Sequence, residues 1–172
     1  MGYVADAGFR TRALSAAKPS SLGMAAPHPV FQLGLDQVGT PGAILKAAMS
    51  GWRYLITSGV GVVAAAHVRA KSQSSQATFS HLNEGARVAS TQTALAKAEK
   101  WPEIKKGRYA LGLLSVPALY VDALWLRDED GRDGGDIFVP LAPSTAPLVP
   151  EKRYSLAEFE SALAELKQRR SP

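Results

Sequence analysis

The chain of 172 residues contains no cysteine. Disulfide bonds, zinc sites built from thiolates and cysteine nucleophiles are therefore excluded. A long hydrophobic run is also missing, because the most apolar stretch, residues 54–68, is shorter and more polar than the roughly 20 apolar residues that cross a bilayer. The N-terminal residues lack the continuous apolar region of a secretory signal. We therefore expect a small, soluble, cytoplasmic protein without a membrane span.

Motifs of catalysis and cofactor binding are scarce as well. The sequence has no Walker A loop, no G-x-S-x-G nucleophile turn and no H-E-x-x-H helix. The three histidines, His28, His67 and His81, do not have the spacing of a metal site. The sequence thus predicts no metal and no cofactor. Whether the protein is an enzyme stays open, and a non-enzymatic role is favoured.

Charge is present but unevenly distributed. The net charge is +5, yet residues 97–109 carry five basic and two acidic residues, whereas residues 128–136 carry five acidic and one basic. Two patches of opposite sign can attract a charged partner or a second copy of the chain. The predicted contact surface consists of Lys105, Lys106, Arg108, Asp128, Asp130 and Asp133. We expect a protein partner or self-association through it.

The basic patch has a second interpretation. Its lysines and Arg108 alternate with Trp101 and Tyr109, an arrangement that can contact phosphates and stack a base. Two glutamates interrupt the patch, and both aromatic residues also suit a core. Nucleic-acid binding is therefore a disfavoured alternative.

The N-terminal part divides into a tail and a helix. Residues 1–29 are rich in Ala, Ser, Gly and Pro and have no sustained period, which predicts a flexible leader. One domain is expected over residues 30–172. Within it, Thr40 as N-cap and Pro41 at the first helical position predict a short helix over about 41–50.

The end of the chain has the clearest local pattern. Ser155 and Glu158 form a capping box, and Tyr154 with Phe159 forms a hydrophobic staple. Leucines and Phe159 then recur at helical spacing. An amphipathic helix is predicted over about 156–169.

Residues 53–69 are ambiguous between strand and helix. As a strand, the segment has small or apolar residues on both faces, as a central strand would. As strand, turn and helix, Gly59 and Gly61 match the G-x-G-x-x-A turn that binds a dinucleotide, with Glu84 as the nearest candidate for the ribose. The valines that would open this helix disfavour it. A nucleotide-binding enzyme stays an alternative that depends on this segment.

The acidic segment of residues 128–136 resembles a metal-binding loop only in composition. No frame places a glycine at the sixth position and a glutamate at the twelfth, as a calcium loop requires. Strand-like residues flank the segment, and Asp and Gly favour chain reversal, so a β-hairpin is predicted. Nearby, Asp122 lies inside a strand pattern, where alternation places it on a solvent face rather than in a buried functional position.

Together these observations predict an α+β fold. We expect a mostly antiparallel curved sheet of three to five strands, with a short N-terminal helix and a C-terminal amphipathic helix; an α/β three-layer fold is the alternative. The expected function is that of a small non-enzymatic binding or interaction domain. The nucleotide-binding enzyme and the weak nucleic-acid binder stand as its rivals.

Overall fold

A computed structural model describes residues 18–59, 61–69 and 78–170 of the chain. Eight strands form one mixed sheet in the order β4-β3-β2-β1-β5-β6-β7-β8. The strands are β1 (Leu22–Gln32), β2 (Ala48–Ser58), β3 (Gly61–Arg69), β4 (Thr78–Asn83), β5 (Tyr109–Val116), β6 (Val121–Asp128), β7 (Ile137–Pro140) and β8 (Tyr154–Ser155). The described α-helices are α1 (Ala86–Ala98), α2 (Pro102–Lys106) and α3 (Leu156–Arg170).

The prediction of three to five mostly antiparallel strands is wrong. The sheet has eight strands, and β1 pairs with β5 in parallel while the other neighbouring strands are antiparallel. With one parallel pair, the α/β alternative does not hold either, and the fold remains α+β. Strand β1 is hard to recognise because its sequence, LGMAAPHPVFQ, contains two prolines and several small residues.

The predicted helix over 41–50 is also wrong. Only a 3-10 turn, Ile44–Lys46, forms there, and β2 already begins at Ala48. Gly42 has a positive φ of 72° and its N–H donates to Glu160 of α3, so the chain turns instead of continuing as a helix. The preference for a helix start at Pro41 is outweighed by pairing of the following residues with β1.

The C-terminal helix is confirmed. Ser155 and Glu158 exchange hydrogen bonds as the capping box requires, with Glu158 accepting from the Ser155 backbone N–H at 2.8 Å. The rings of Tyr154 and Phe159 meet edge to face, with their centroids 6.1 Å apart.

The expected leader, residues 1–29, is only partly described. Strand β1 continues through residue 30, and residues 1–17 lie outside the described part of the chain, so the leader boundary stays a prediction.

Helices α1 and α3 cover opposite faces of the sheet. Side chains of a strand alternate between faces, and along β6 Leu124 clusters with Ala94 of α1 while Trp125 clusters with Phe159 of α3. We call these the α1 face and the α3 face. The α3 face holds most of the aromatic core, and the α1 face holds smaller apolar residues and the polar groups described next.

Candidate functional site

A row of four basic side chains crosses the α1 face. His28 of β1 lies opposite Arg53 of β2, Arg53 opposite His67 of β3, and His67 opposite His81 of β4. Residues directly opposite in antiparallel strands share a face, with Cβ atoms roughly 5 Å apart. A hydrogen bond from Arg53 to Thr91 of α1 places the row on the α1 face. We call these four residues the basic row.

A bulge in β1 turns His28 into this row. The register shifts between Ala25 and His28, and Ala26 adopts a positive φ of 46°. Bulges of this kind reorient a side chain and are frequent beside functional sites. His28 is fully buried, with Nδ1 2.6 Å from the Ala26 carbonyl oxygen. Because a carbonyl only accepts, Nδ1 carries the proton of the neutral ring and Nε2 is left as an acceptor.

Burial controls the charge of His28. The pKa of the imidazole falls from its ordinary value of 6.5 to about 4, chiefly because of burial; the Ala26 hydrogen bond opposes this shift and the nearby charge of Arg53 adds to it. The ring is therefore neutral at pH 7. None of the described residues forms a hydrogen bond with its Nε2.

Arg53 is the buried charge at the centre of the row. It is 1% exposed, and Nη2 donates to Thr91 Oγ1 at 3.0 Å while Thr91 in turn donates to the Arg87 carbonyl. Burial lowers the pKa of Arg53 to about 10, and the carboxylate of Asp122 opposes this shift. The guanidinium stays charged at neutral pH. Its Nε and Nη1 have no hydrogen-bond partner among the described residues.

Asp122 is partly buried rather than on an open solvent face. It forms an ion pair with Arg87 at the start of α1, and its charge influences Arg53 and both His67 and His81. Alternation along β6 puts it on the same face as Leu124, under α1. One carboxylate thus stands between two guanidinium groups.

A cleft of about 350 Å³ opens beside this cluster. Arg53 adjoins it, because its cross-strand partner His67 and Gly51, two residues away on β2, both line it. We call it the cross-sheet cleft, since residues of six strands contribute to its lining. They are Val30 and Gln32 of β1, Ser50, Gly51 and Trp52 of β2, His67, Val68 and Arg69 of β3, Ser80, His81 and Asn83 of β4, Leu113 and Ser115 of β5, and Asp122 of β6.

The charge of the cleft is positive. Within residues 18–59, 61–69 and 78–170, Asp122 is the one acidic residue of the lining, against Arg69 in the lining and Arg53 and Arg87 beside it. His67 is neutral at pH 7, because burial chiefly, and the charge of Arg53 next, lower its pKa to about 4. Such an excess attracts anions.

Two histidines at the cleft rim stack on each other. The ring centroids of His67 and His81 are 4.4 Å apart and nearly parallel, and Ser80 Oγ lies 3.0 Å from His81 Nδ1. A serine beside a histidine suggests a nucleophile and its base, but catalysis also needs a group that orients the histidine. No acid of the described residues hydrogen-bonds to His81, so this pair forms no triad.

The acidic segment is the loop of a β-hairpin, as the sequence predicts, between β6 and β7. Asp128 accepts hydrogen bonds from the backbone and side chain of Arg132, and Asp130 accepts from Arg108 at 2.9 Å. The hydrogen bonds from the Arg132 side chain chiefly lower the pKa of Asp128 to about 2, and those from the backbone N–H and then the side chain of Arg108 lower the pKa of Asp130. Part of the predicted contact surface is thereby paired within the chain.

The other residues of that surface are exposed. Lys105 and Lys106 end α2, and Asp133 lies in the hairpin loop. The structure brings Arg108 and Asp130 together but does not join either to the cross-sheet cleft. As a partner-contact surface, this set stays a prediction.

Gly59 and Gly61 lie at the turn between β2 and β3. Gly59 has a positive φ of 62°, and residues Gly61–Arg69 form a strand. The helix N-terminus that a pyrophosphate would need does not follow these glycines. Residues 53–58 and 61–69 therefore belong to two antiparallel strands, and the segment is neither one long strand nor a strand followed by a helix.

A second, larger depression lies between α2, the hairpin loop and the start of α3, with a volume of about 540 Å³. Several of its charged groups are engaged within the chain: Arg153 pairs with Glu103, Asp136 accepts from Trp125, and Glu158 accepts from Ser155. We regard the cleft as the better site, because the fully buried guanidinium of Arg53 adjoins it.

Comparisons with protein-family models, with curated proteins and with solved structures find no match for this chain. Among the described residues, no helix is both long and apolar enough to cross a membrane, and no group of three or more potential metal ligands occurs together. The site must therefore be interpreted from its own geometry and charge.

Proposed function

We propose that the protein is a non-enzymatic binding domain whose cross-sheet cleft takes an anionic group, a carboxylate or a phosphate, of a partner. The observation that carries the proposal is Arg53: a buried, charged guanidinium with two N–H-bearing nitrogens, Nε and Nη1, that have no acceptor among the described residues. Buried charges are normally paired, because an unpaired one costs several kcal/mol of desolvation.

The neighbouring groups support an anion rather than a cation. Asp122 is already engaged by Arg87, so it does not compensate Arg53 fully. Arg69 lines the cleft and adds a third positive charge. An anion next to Arg53 would supply the missing acceptor, and charge-assisted hydrogen bonds of this kind are about twice as strong as neutral ones.

The test is thermal unfolding in phosphate and in acetate, at matched ionic strength with chloride as reference. We expect a saturable rise of Tm in the wild type, because a ligand that binds only the folded state stabilises it. In Arg53→Met the rise should be absent. The matched control is Arg127→Met on the α3 face, whose guanidinium also has a buried unpartnered Nε but packs over the Phe31 ring.

Phosphate also stabilises proteins by exclusion from their surface, without saturation and irrespective of the variant. The readout is therefore the difference between Arg53→Met and Arg127→Met. An identical rise of Tm in the wild type and both variants would overturn the proposal.

A further inference from the structure

The lining residues of the cross-sheet cleft come from six neighbouring strands. Its lining runs from β4 at the outer end of the described sheet, across β3, β2, β1 and β5, to β6. Neighbouring strands lie about 4.8 Å apart, so five gaps amount to about 24 Å. A volume of about 350 Å³ spread over this length leaves a narrow groove. Such a groove fits an extended chain better than a compact molecule.

The lining offers hydrogen bonds along its whole length. Ser80 and Asn83 stand at the β4 end, Ser50 and Gln32 in the middle, and Ser115 towards the β6 end. Hydroxyl and amide side chains both donate and accept hydrogen bonds, as peptide N–H and C=O groups require. The apolar side chains of Val30 and Leu113, which pair across β1 and β5 on the α1 face, contribute apolar surface beside them.

Gly51 keeps the middle of the groove free of a side chain. A Cβ at this position would come within 2.1 Å of the Val68 carbonyl oxygen, so only glycine fits between β2 and β3. Arg53 lies two residues further along β2 on the same face. The buried charge is thus next to the part of the groove where backbone alone forms the floor.

We infer that the partner is an extended acidic peptide segment that lies along the cross-sheet cleft with one carboxylate directed at Arg53. This inference rests on the proposed function, since it assigns the anionic group to a peptide side chain. Charge complementarity selects an acidic segment, because the cleft has an excess of positive charge. An extended peptide covers 24 Å with about seven residues.

Isothermal titration of the wild-type protein with three probes tests the inference. They are a short capped peptide with one central glutamate, the same peptide with glutamine in its place, and acetate. We expect the glutamate peptide to bind at least about ten-fold more tightly than either of the others, because it combines the charge with several peptide hydrogen bonds. When the glutamate peptide is added, amide chemical shifts should change along the cleft, from Ser80 at its β4 end to Ser115 towards its β6 end.

Two variants probe the length of the groove. Asn83→Ala and Ser115→Ala should each weaken the glutamate peptide by about five-fold, the value of one hydrogen bond. Arg127→Met, outside the cleft, should bind it as the wild type does. If the wild type and the three variants all bound the glutamate peptide equally tightly, the groove would not be its binding site.

The outcomes separate the two proposals. If acetate binds in an Arg53-dependent manner but the glutamate peptide binds no better, the peptide inference fails and anion binding stands. If neither binds, both fail. If the glutamine peptide binds as tightly as the glutamate peptide, or a short single-stranded oligonucleotide binds more tightly than either, an acidic peptide is not the occupant.

Discussion

The two helix-covered faces of the sheet differ in the kinds of side chain that they bury. Under α3, Phe159 stacks on Phe138 at 5.0 Å and Phe138 on Trp125 at 5.6 Å, and both phenylalanines are fully buried. Under α1, the helix offers mainly alanine and hydroxyl side chains, and the sheet offers the basic row. The first face is an aromatic core with Arg127 packed over the Phe31 ring, whereas the second contains the fully buried guanidinium of Arg53, with two nitrogens that have no partner among the described residues. We therefore expect the stability of the fold to depend mainly on the α3 face and the proposed anion binding to depend on the α1 face.

A substitution in the aromatic core of the α3 face should cause the largest loss of stability. Phe159→Ala removes a fully buried ring and should lower the free energy of unfolding by about 4 kcal/mol, since the stacked ring of Phe138 and the edge-on ring of Tyr154 keep the cavity from collapsing. Urea denaturation measures this value. Phe159→Leu, which keeps most of the volume, is the control and should lose less. A loss below about 1 kcal/mol would mean that the aromatic stack is not the main support of the fold.

A lower pH should have the next largest effect on stability, and it should act through the α1 face. Folded His28 stays neutral down to pH about 4, whereas the unfolded ring binds a proton near 6.5. Between these values the unfolded state holds more protons, so stability falls as the pH falls. From pH 7 to pH 5 we expect a loss of about 2 kcal/mol from this residue. Urea titrations at both pH values measure it.

The histidine variant provides the control for this pH effect. His28→Gln cannot take up the proton and should have a shallower pH dependence, whatever its stability at pH 7. Phe159→Leu, on the α3 face, should keep the wild-type dependence. An unchanged slope in His28→Gln would assign the acid sensitivity to other groups.

Arg53→Met should have a smaller effect, in the opposite direction to an ordinary core substitution. The change removes an unpaired buried charge and leaves Asp122 paired with Arg87. Replacement of buried ionic groups by apolar ones of similar volume is often neutral or stabilising, so we expect a gain of about 1 kcal/mol in the free energy of unfolding at most. Chemical denaturation checks this. A large loss of stability would show that Arg53 serves the fold itself.

The smallest effect is expected at the acidic hairpin. Asp130→Asn breaks the ion pair with Arg108, whose side chain is 75% exposed. Solvent-exposed ion pairs contribute little, so Tm should stay the same within experimental error. Asp136 offers a contrast in the same loop, because its carboxylate accepts a hydrogen bond from the indole N–H of the buried Trp125 at 2.8 Å. Asp136→Asn should therefore lower Tm more than Asp130→Asn does.

Local patterns in the sequence predict local structure well in this chain. The capping box and staple of α3 involve residues within one turn of each other, and the acidic hairpin joins adjacent strands. Both are determined by nearby residues, so both could be predicted. The helix expected at 41–50 had the same kind of local support, but pairing of β2 with β1 and the contact of Gly42 with Glu160 override it.

The basic row could not be predicted in the same way. Its members come from four strands, and only the register brings His28, Arg53, His67 and His81 side by side. A one-residue slip in any strand would separate them. One signal was available: in the strand interpretation Arg53 shares a face with Leu55, and a charge on an apolar face needs a reason.

The parallel contact between β1 and β5 affects how the protein folds. It consists of three residue pairs, from Val30 with Leu113 to Gln32 with Ser115, and it joins two antiparallel meanders, β1 to β4 and β5 to β8. Each meander can form from contacts that are close in the chain, whereas this junction must close a long loop, which is slow. During synthesis the first meander emerges without its neighbour. Because the cross-sheet cleft spans the junction, we expect the proposed ligand to bind only after this slow contact has formed.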